Sequence, residues 1–239
     1  MGPVYLLTLR QLAGKWRLAI MAGLALLPLL ITLLMLSDNN GPSVELFETM
    51  VLSGMLSGSI GPLIVLAIAA AAFSNELEDK TLANLTLAPI PRSRIVIPKL
   101  LASITLAAPF VVLSALVVSH LAFMADPTAT FAVTLSLLVS VALYASFFLW
   151  MGLISTQAIG IGLLYIVIWE GFFTGFVAGA RSLSIRHYAA SLMHGLDPRR
   201  FASEDGNYLS LGAVSVVSVV VFAGFLLLAI RRLRRMDVP

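Results

Sequence analysis

Residues Ser74–Lys99 read SNELEDKTLANLTLAPIPRSRIVIPK and form a charged segment between two long, mostly apolar stretches of the chain. The segment holds seven of the 27 Asp, Glu, Lys and Arg residues of a protein that is only 11% charged. Its acidic residues come first and its basic residues follow. Because crossing a bilayer requires no such segment, we predict that it contacts a soluble partner.

The composition predicts a protein that lies in lipid. The chain has 239 residues, of which 59% are hydrophobic, and its mean hydropathy is +1.00. A soluble domain of this length cannot bury so much apolar surface. The absence of cysteine excludes disulfides and thiolate chemistry. The net charge of +3 is interpreted as an orientation signal, because no nucleic-acid module is recognisable.

Six stretches have the roughly 20 apolar residues that a transmembrane helix needs. The polar residues Ser155, Thr156 and Gln157 separate the fourth stretch from the fifth. The sequence therefore predicts an all-α integral membrane protein, a single transmembrane domain over residues 1–239, whose six spans are Leu18–Leu36, Leu52–Phe73, Leu100–Phe123, Thr130–Leu153, Ile159–Ala180 and Leu209–Ile230.

The distribution of basic residues predicts the orientation. With six spans, 11 of the 15 Lys and Arg residues fall on the side of the two termini and of the Ser74–Lys99 segment. The positive-inside rule makes that side cytoplasmic. We therefore predict a multi-pass protein of the cell (inner) membrane with both termini in the cytoplasm.

Two further segments are predicted at the membrane surface. Residues 3–16 mix apolar and polar positions in the way of an amphipathic interfacial helix. Residues 182–196 place Ile185, Tyr188, Ala189, Leu192 and Met193 at helical spacing, which predicts a small re-entrant element on the outer side, after span 5.

No catalytic or metal-binding constellation is evident in the sequence. It contains no phosphate-binding loop, no H-E-x-x-H and no G-x-S-x-G. His187 and His194 fall on one helix face, where an interfacial polar role is favoured over a metal role. The protein is predicted to be a non-catalytic membrane subunit without a cofactor of its own.

The first half of the charged segment predicts a short cytoplasmic helix over residues 75–88. Asn75 is a suitable N-cap, and Glu78 lies at the position from which it reaches back to the start of the helix. Acidic residues in the first turn suit the positive end of the helix dipole. Pro89 and Pro91 then end the helix.

The pattern from Glu76 through Thr81, Leu82, Leu85, Pro89 and Arg92 to Lys99 resembles the cytoplasmic segment of ABC-2 type permeases, the membrane subunits of ATP-binding-cassette exporters. That family keeps its coupling helix between the second and third of six spans, where residues 75–88 lie. Lys80 departs from the pattern, since many relatives have glycine there. The resemblance covers the whole chain.

The resemblance implies partners for this chain and roles for its residues. Two ATPase subunits, which bind ATP and Mg²⁺, pair with two permease copies or with one copy and a close homologue, in membrane lipid and without nucleic acid. The ATPase docks on the coupling helix through Asn75, Glu76, Glu78, Asp79, Thr81, Leu82 and Leu85. The membrane-surface anchors are Arg10, Lys15, Arg92 and Lys99.

Glu170 is the one formal charge in the predicted fifth span, beside a stripe formed by Gly171, Gly175 and Gly179. An acid within the membrane is costly and usually faces a partner or a cavity. It is interpreted either as a gating or substrate-path residue, together with Gly171 and Gly175, or as a hydrogen-bonding staple. Two other functions stay open for the chain: an ion-coupled carrier or channel that uses Glu170, and a non-transporting membrane scaffold.

Overall fold

The computed structural model describes residues 2–37, 43–79, 91–124, 126–174, 181–201 and 208–236. Every regular element in these ranges is helical, which confirms the predicted all-α class. In chain order the helices are α1 (Gly2–Leu12), α2 (Lys15–Ser37), α3 (Val44–Glu78), α4 (Ser93–Ala122), α5 (Pro127–Gly152), α6 (Ala158–Phe173), α7 (Ile185–Leu196) and α8 (Leu211–Arg235).

Five of these helices, α2, α3, α4, α5 and α8, are long and apolar enough to cross a membrane within the described ranges. Helix α6 is apolar but shorter, and it covers the first part of the predicted fifth span, Ile159–Ala180. Residues 175–180 of that span lie outside the described residues. The finding is therefore a multi-pass helical protein with at least five membrane-capable helices.

Helix α3 is longer than the predicted second span, Leu52–Phe73. Its 35 residues begin at Val44, wind as a π-helix from Glu48 to Ile60, and continue as an α-helix with a local turn at Ala70. At about 1.5 Å per residue it is roughly 50 Å long, well beyond the apolar core of a bilayer. The helix is therefore too long for all of it to lie within the apolar core, and it ends at Glu78.

The prediction that Asn75 caps a new helix is wrong. Asn75 lies inside α3, and its carbonyl accepts a hydrogen bond of 2.9 Å from the backbone N–H of Asp79 at the helix end. The reason is local, because residues 69–72 are four alanines, the strongest helix formers, and no proline or glycine follows before residue 79. The remainder of the predicted helix, residues 80–88, lies outside the described residues.

Helix α5 lies at the centre of the fold. It packs against α3, α4, α7 and α8, and most of its side chains are buried. Helices α2 and α8 present most of their apolar side chains outwards, as lipid-facing helices do. Helix α1 runs against α4, where the Tyr5 hydroxyl donates to Thr105 Oγ1 at 3.2 Å and Leu12 is buried.

Helix α5 approaches the backbone of α3 closely at Gly152. A Cβ atom at this position would run into the backbone carbonyl of Ala70, whereas a Cβ at Gly160 in α6 would meet nothing within 4 Å. We therefore expect Gly152→Ala to lower the free energy of unfolding by about 1–3 kcal/mol, despite the better helix propensity of alanine. Gly160→Ala is the matched control, for which thermal unfolding in detergent should show no loss. Equal midpoints for the two variants would contradict this packing.

Candidate functional site

A buried ion pair joins the C-terminal end of α3 to the start of α4. Lys99 Nζ lies 2.5 Å from Glu76 Oε1, and the two side chains are only 0% and 4% exposed. The same ammonium group donates a hydrogen bond of 2.6 Å to the carbonyl of Ala72 and lies 4.5 Å from the centre of the Phe73 ring. The ion pair therefore holds together the two ends of the segment that connects α3 to α4.

Helical periodicity explains why both charged residues are buried. Ala69, Ala72, Phe73 and Glu76 follow each other at spacings of three and four and lie on one buried face of α3. On α4, Lys99 shares a buried face with Ile95, Val96, Ala102 and Ser103. Because removing either charge would leave the other in an apolar site, the pair fixes how the two helices pack.

This burial corrects two of the predicted site roles. Lys99 does not reach the lipid head groups as an anchor, because its side chain has no exposure. Glu76 likewise is not on the surface that a docking protein would contact. Both residues belong to the apolar periodicity of the flanking helices, and this sequence signal separates them from their exposed charged neighbours.

The other predicted docking and anchor residues differ in exposure. Glu78 and Asp79 are exposed at the end of α3, and Asn75 is partly buried one turn before. Arg10 and Lys15 are exposed near the junction of α1 and α2, and Arg92 is partly buried. The three remaining docking residues, Thr81, Leu82 and Leu85, lie outside the described residues.

Glu170 is the centre of a second buried polar cluster. Its side chain has no exposure and accepts hydrogen bonds from the Tyr165 hydroxyl at 3.0 Å and from the backbone N–H of Ile185 at 3.1 Å, both at Oε1. The Ser184 hydroxyl donates to Oε2. Because Ser184 is also the N-cap of α7, the carboxylate lies at the positive end of that helix. Glu170 thereby joins α6 to α7.

Arg181 and Arg186, the arginines closest to Glu170 in the sequence, have other partners. Arg181 Nε donates to the carbonyl of Thr174 at 3.1 Å, and Arg186 Nε donates to Ser53 Oγ of α3 at 3.2 Å. None of the three ion pairs between described residues includes Glu170. Neutral donors and a helix N-terminus therefore stabilise this carboxylate.

The comparison with known families agrees with this helical architecture. A family model described as "ABC-2 family transporter protein" matches residues 14–180, which is 167 of the 239 residues and includes α2 to α6. The chain belongs to the ABC-2 transporter family. No curated protein matches it.

The glycines beside Glu170 play unequal parts in this ABC-2 family protein. A Cβ at Gly171 would make only an ordinary contact, at 3.6 Å from the carbonyl of Ile166, so none of the described helices packs tightly against this glycine. Gly175 lies outside the described residues. At Gly58 of α3 a Cβ would approach the Arg186 side chain to 3.0 Å, so this glycine leaves room for the arginine.

The two histidines of α7, His187 and His194, stack on the ring of Tyr208, close to Glu48 of α3. The Tyr208 ring stacks on His194 at 3.8 Å and on His187 at 5.6 Å, and His194 Nε2 lies 2.8 Å from Glu48 Oε1. Burial, together with Arg181 and His194, lowers the pKa of His187. Among the described residues no group of three His, Asp or Glu side chains is arranged for a metal ion.

Replacing Glu170 with glutamine tests the role of this cluster. The amide NH2 group would face the Ser184 hydroxyl in place of an acceptor oxygen, and the charge at the start of α7 would be lost, so we expect a loss of about 1–3 kcal/mol in the free energy of unfolding. Amide hydrogen exchange at residues 185–188 should rise in the same variant. Glu45→Gln, at an exposed carboxylate, is the control. Unchanged stability with lost transport would contradict the staple and favour a gating role.

Proposed function

We propose that the protein is the permease subunit of an ATP-binding-cassette exporter and that a separate ATPase subunit drives it. In this proposal the predicted fifth span completes six crossings, and both termini lie in the cytoplasm. Membership of the ABC-2 family, five membrane-capable helices and the bias of basic residues support it. The family is one of membrane transport components, which agrees with a non-catalytic role for this chain.

The observation that carries the proposal is the rigid connection at the cytoplasmic end of α3. In the proposed topology α3 extends beyond the membrane and ends at two exposed acids, Glu78 and Asp79, while Glu76 binds Lys99 near the start of α4. A force applied to this end would move α3 and α4 together, because the buried pair opposes their separation. A protein that docks at the end of α3 could therefore move both α3 and α4 from one contact site.

We assign the docking surface to Glu78 and Asp79 and, from the family resemblance, to Thr81, Leu82 and Leu85. ATP and Mg²⁺ would bind to the ATPase, of which two copies would serve two permease chains. The second permease would be a copy of this chain or a close homologue. The scarcity of polar side chains in the spans suggests an amphipathic or hydrophobic cargo, such as a lipid, a drug or a peptide.

The geometry of Glu170 does not favour the alternative of an ion-coupled carrier or channel. A coupling carboxylate must exchange its partners with an ion or a proton during transport. The carboxylate of Glu170 accepts three hydrogen bonds from groups fixed by α6 and the start of α7, in a position without solvent contact. These contacts support a structural role for Glu170, whose hydrogen bonds hold α7 against α6.

Purification from the native host in a mild detergent tests the proposed function. We expect an ATPase with a phosphate-binding loop to accompany the chain in stoichiometric amount. A chain that is isolated alone and conducts ions after reconstitution would contradict the proposal and support the channel. Recovery with a soluble protein that lacks ATPase motifs would support the scaffold.

A further inference from the structure

A cationic cleft lies between the ends of α5 and α8, and none of its lining residues belongs to the two sites described above. Its volume is about 440 Å³, and its walls are Trp150, Ile154, Leu228, Arg231, Arg232 and Arg235. Three guanidinium groups therefore stand beside one large aromatic ring and two aliphatic side chains. The family match, which ends at residue 180, does not include the α8 wall of this cleft.

The depth of the cleft follows from the length of α8. From Leu211 to Ile230 the helix carries no charge, and at about 1.5 Å per residue this part spans roughly 30 Å, the thickness of a hydrocarbon core. The arginines that follow therefore lie at the level of the head groups. Trp150, on the opposite wall, suits the same depth, because tryptophan is enriched at the membrane interface. Leu228 lies one turn deeper on α8, at the level of the acyl chains.

The arginines are available to a ligand. Arg231, Arg232 and Arg235 are exposed, and among the described residues no carboxylate lies within ion-pair distance of them. Their planar groups offer paired N–H donors that match phosphate oxygens. The opposite wall is fixed, since the Trp150 ring packs on Phe225 of α8 at 5.5 Å and on Phe147 at 6.2 Å.

We propose that this cleft binds the phosphate of an anionic phospholipid, with an acyl chain against Ile154 and Leu228. A net negative head group is favoured, because a zwitterionic lipid would bring its own cation to three arginines. Basic pockets between membrane helices on the cytoplasmic side are known to hold anionic head groups. The proposal depends on the membrane location of the helices and is independent of the ATPase partner.

The helix itself provides a matched control variant. At 100° per residue, Leu228, Arg231, Arg232 and Arg235 fall within an arc of about 100°, whereas Arg234 lies about 60° outside its edge. Arg234 is also exposed and does not line the cleft. Arg231→Gln and Arg235→Gln therefore remove a cleft charge, and Arg234→Gln removes an equal charge next to the cleft.

Native mass spectrometry of the purified full-length protein, titrated with phosphatidylglycerol or phosphatidylcholine, tests the proposal. We expect a saturable site that prefers phosphatidylglycerol, and about fivefold weaker binding in Arg231→Gln and in Arg235→Gln. Arg234→Gln should bind as the parent protein does. Thermal unfolding of each variant in detergent should be unchanged, because the replaced side chains are exposed.

Three results would overturn the proposal. Equal binding of the two lipids would exclude selection of a negative head group. Equal weakening in Arg234→Gln would show a general effect of surface charge in place of a site. Displacement of the lipid by inorganic phosphate at the same concentration would identify a site for a soluble anion, because an acyl chain would then contribute nothing.

Discussion

Replacing Lys99 with methionine is expected to lower the free energy of unfolding by about 3–5 kcal/mol, the cost of breaking a buried ion pair from one side. Methionine matches the lysine side chain as far as the ε-carbon but lacks the ammonium group beside the Glu76 carboxylate, the Ala72 carbonyl and the Phe73 ring. Unfolding in mixed micelles, followed by circular dichroism, measures the change. Lys15→Met is the control, because Lys15 is exposed at the start of α2.

A double-mutant cycle separates the pair from its surroundings. Glu76→Gln alone should also destabilise the protein, and the double variant Glu76→Gln with Lys99→Met should recover most of the loss, since neither charge then remains buried. Transport should stay low in the double variant if the charged contact is needed to move α3 and α4 together. Strictly additive losses would contradict a direct interaction between the two side chains.

Replacing Glu78 and Asp79 with lysine is expected to reduce transport at least tenfold and to leave membrane insertion intact. Both residues are exposed at the end of α3, so the folded permease should tolerate the change within about 0.5 kcal/mol. Two reversed charges at a docking surface oppose the partner that the native charges attract. Transport into vesicles and ATP hydrolysis, measured on the same preparation, should become uncoupled.

The control for this charge reversal is Glu45→Lys. Glu45 is also exposed, but it lies in the first turn of α3, at the opposite end of the helix from Glu78. Its replacement should leave transport and coupling unchanged. Normal transport by the Glu78→Lys, Asp79→Lys variant would remove the docking assignment, whatever the control shows.

The sequence was sufficient to predict the helical class, because an uncharged apolar stretch of about 20 residues is typical of a transmembrane helix. The helical spacing of Ile185, Tyr188, Ala189, Leu192 and Met193 also agrees with α7, and the structure adds that all five residues are buried. In these cases the length of one apolar stretch, or the spacing of apolar residues in one helix, is enough for the prediction. Residues elsewhere in the chain have little effect on it.

The charged segment is harder to predict, because the helical periodicity of its flanks decides which charged residues are buried. Asn75 is a good N-cap residue, yet the four alanines before it continue the helix of the second span. Glu76 and Lys99 look like surface residues in isolation. Their burial is indicated only by the apolar residues that flank each of them on the same helix face. That these two faces meet is shown only by the fold.

The π-helical segments and the partners of Glu170 lie beyond what local sequence can predict. The π-helical parts of α3 and α6, Glu48–Ile60 and Tyr165–Phe173, contact each other, so their winding depends on tertiary packing. Of the donors to Glu170, Ser184 and Ile185 lie in another element. The sequence indicated that the acid needs a partner, and the fold supplied the start of α7.

Cross-linking from a single cysteine at residue 79 tests the central claim, that an ATPase docks at the end of α3, most directly. The chain has no cysteine, so Asp79→Cys carries one unique thiol, and Trp16→Cys provides an exposed control near the junction of α1 and α2. In native membranes we expect a short thiol-directed cross-linker to attach an ATPase with a phosphate-binding loop to residue 79 and none to residue 16. Equal labelling from both positions, or no ATPase at residue 79 while transport persists, would contradict the account.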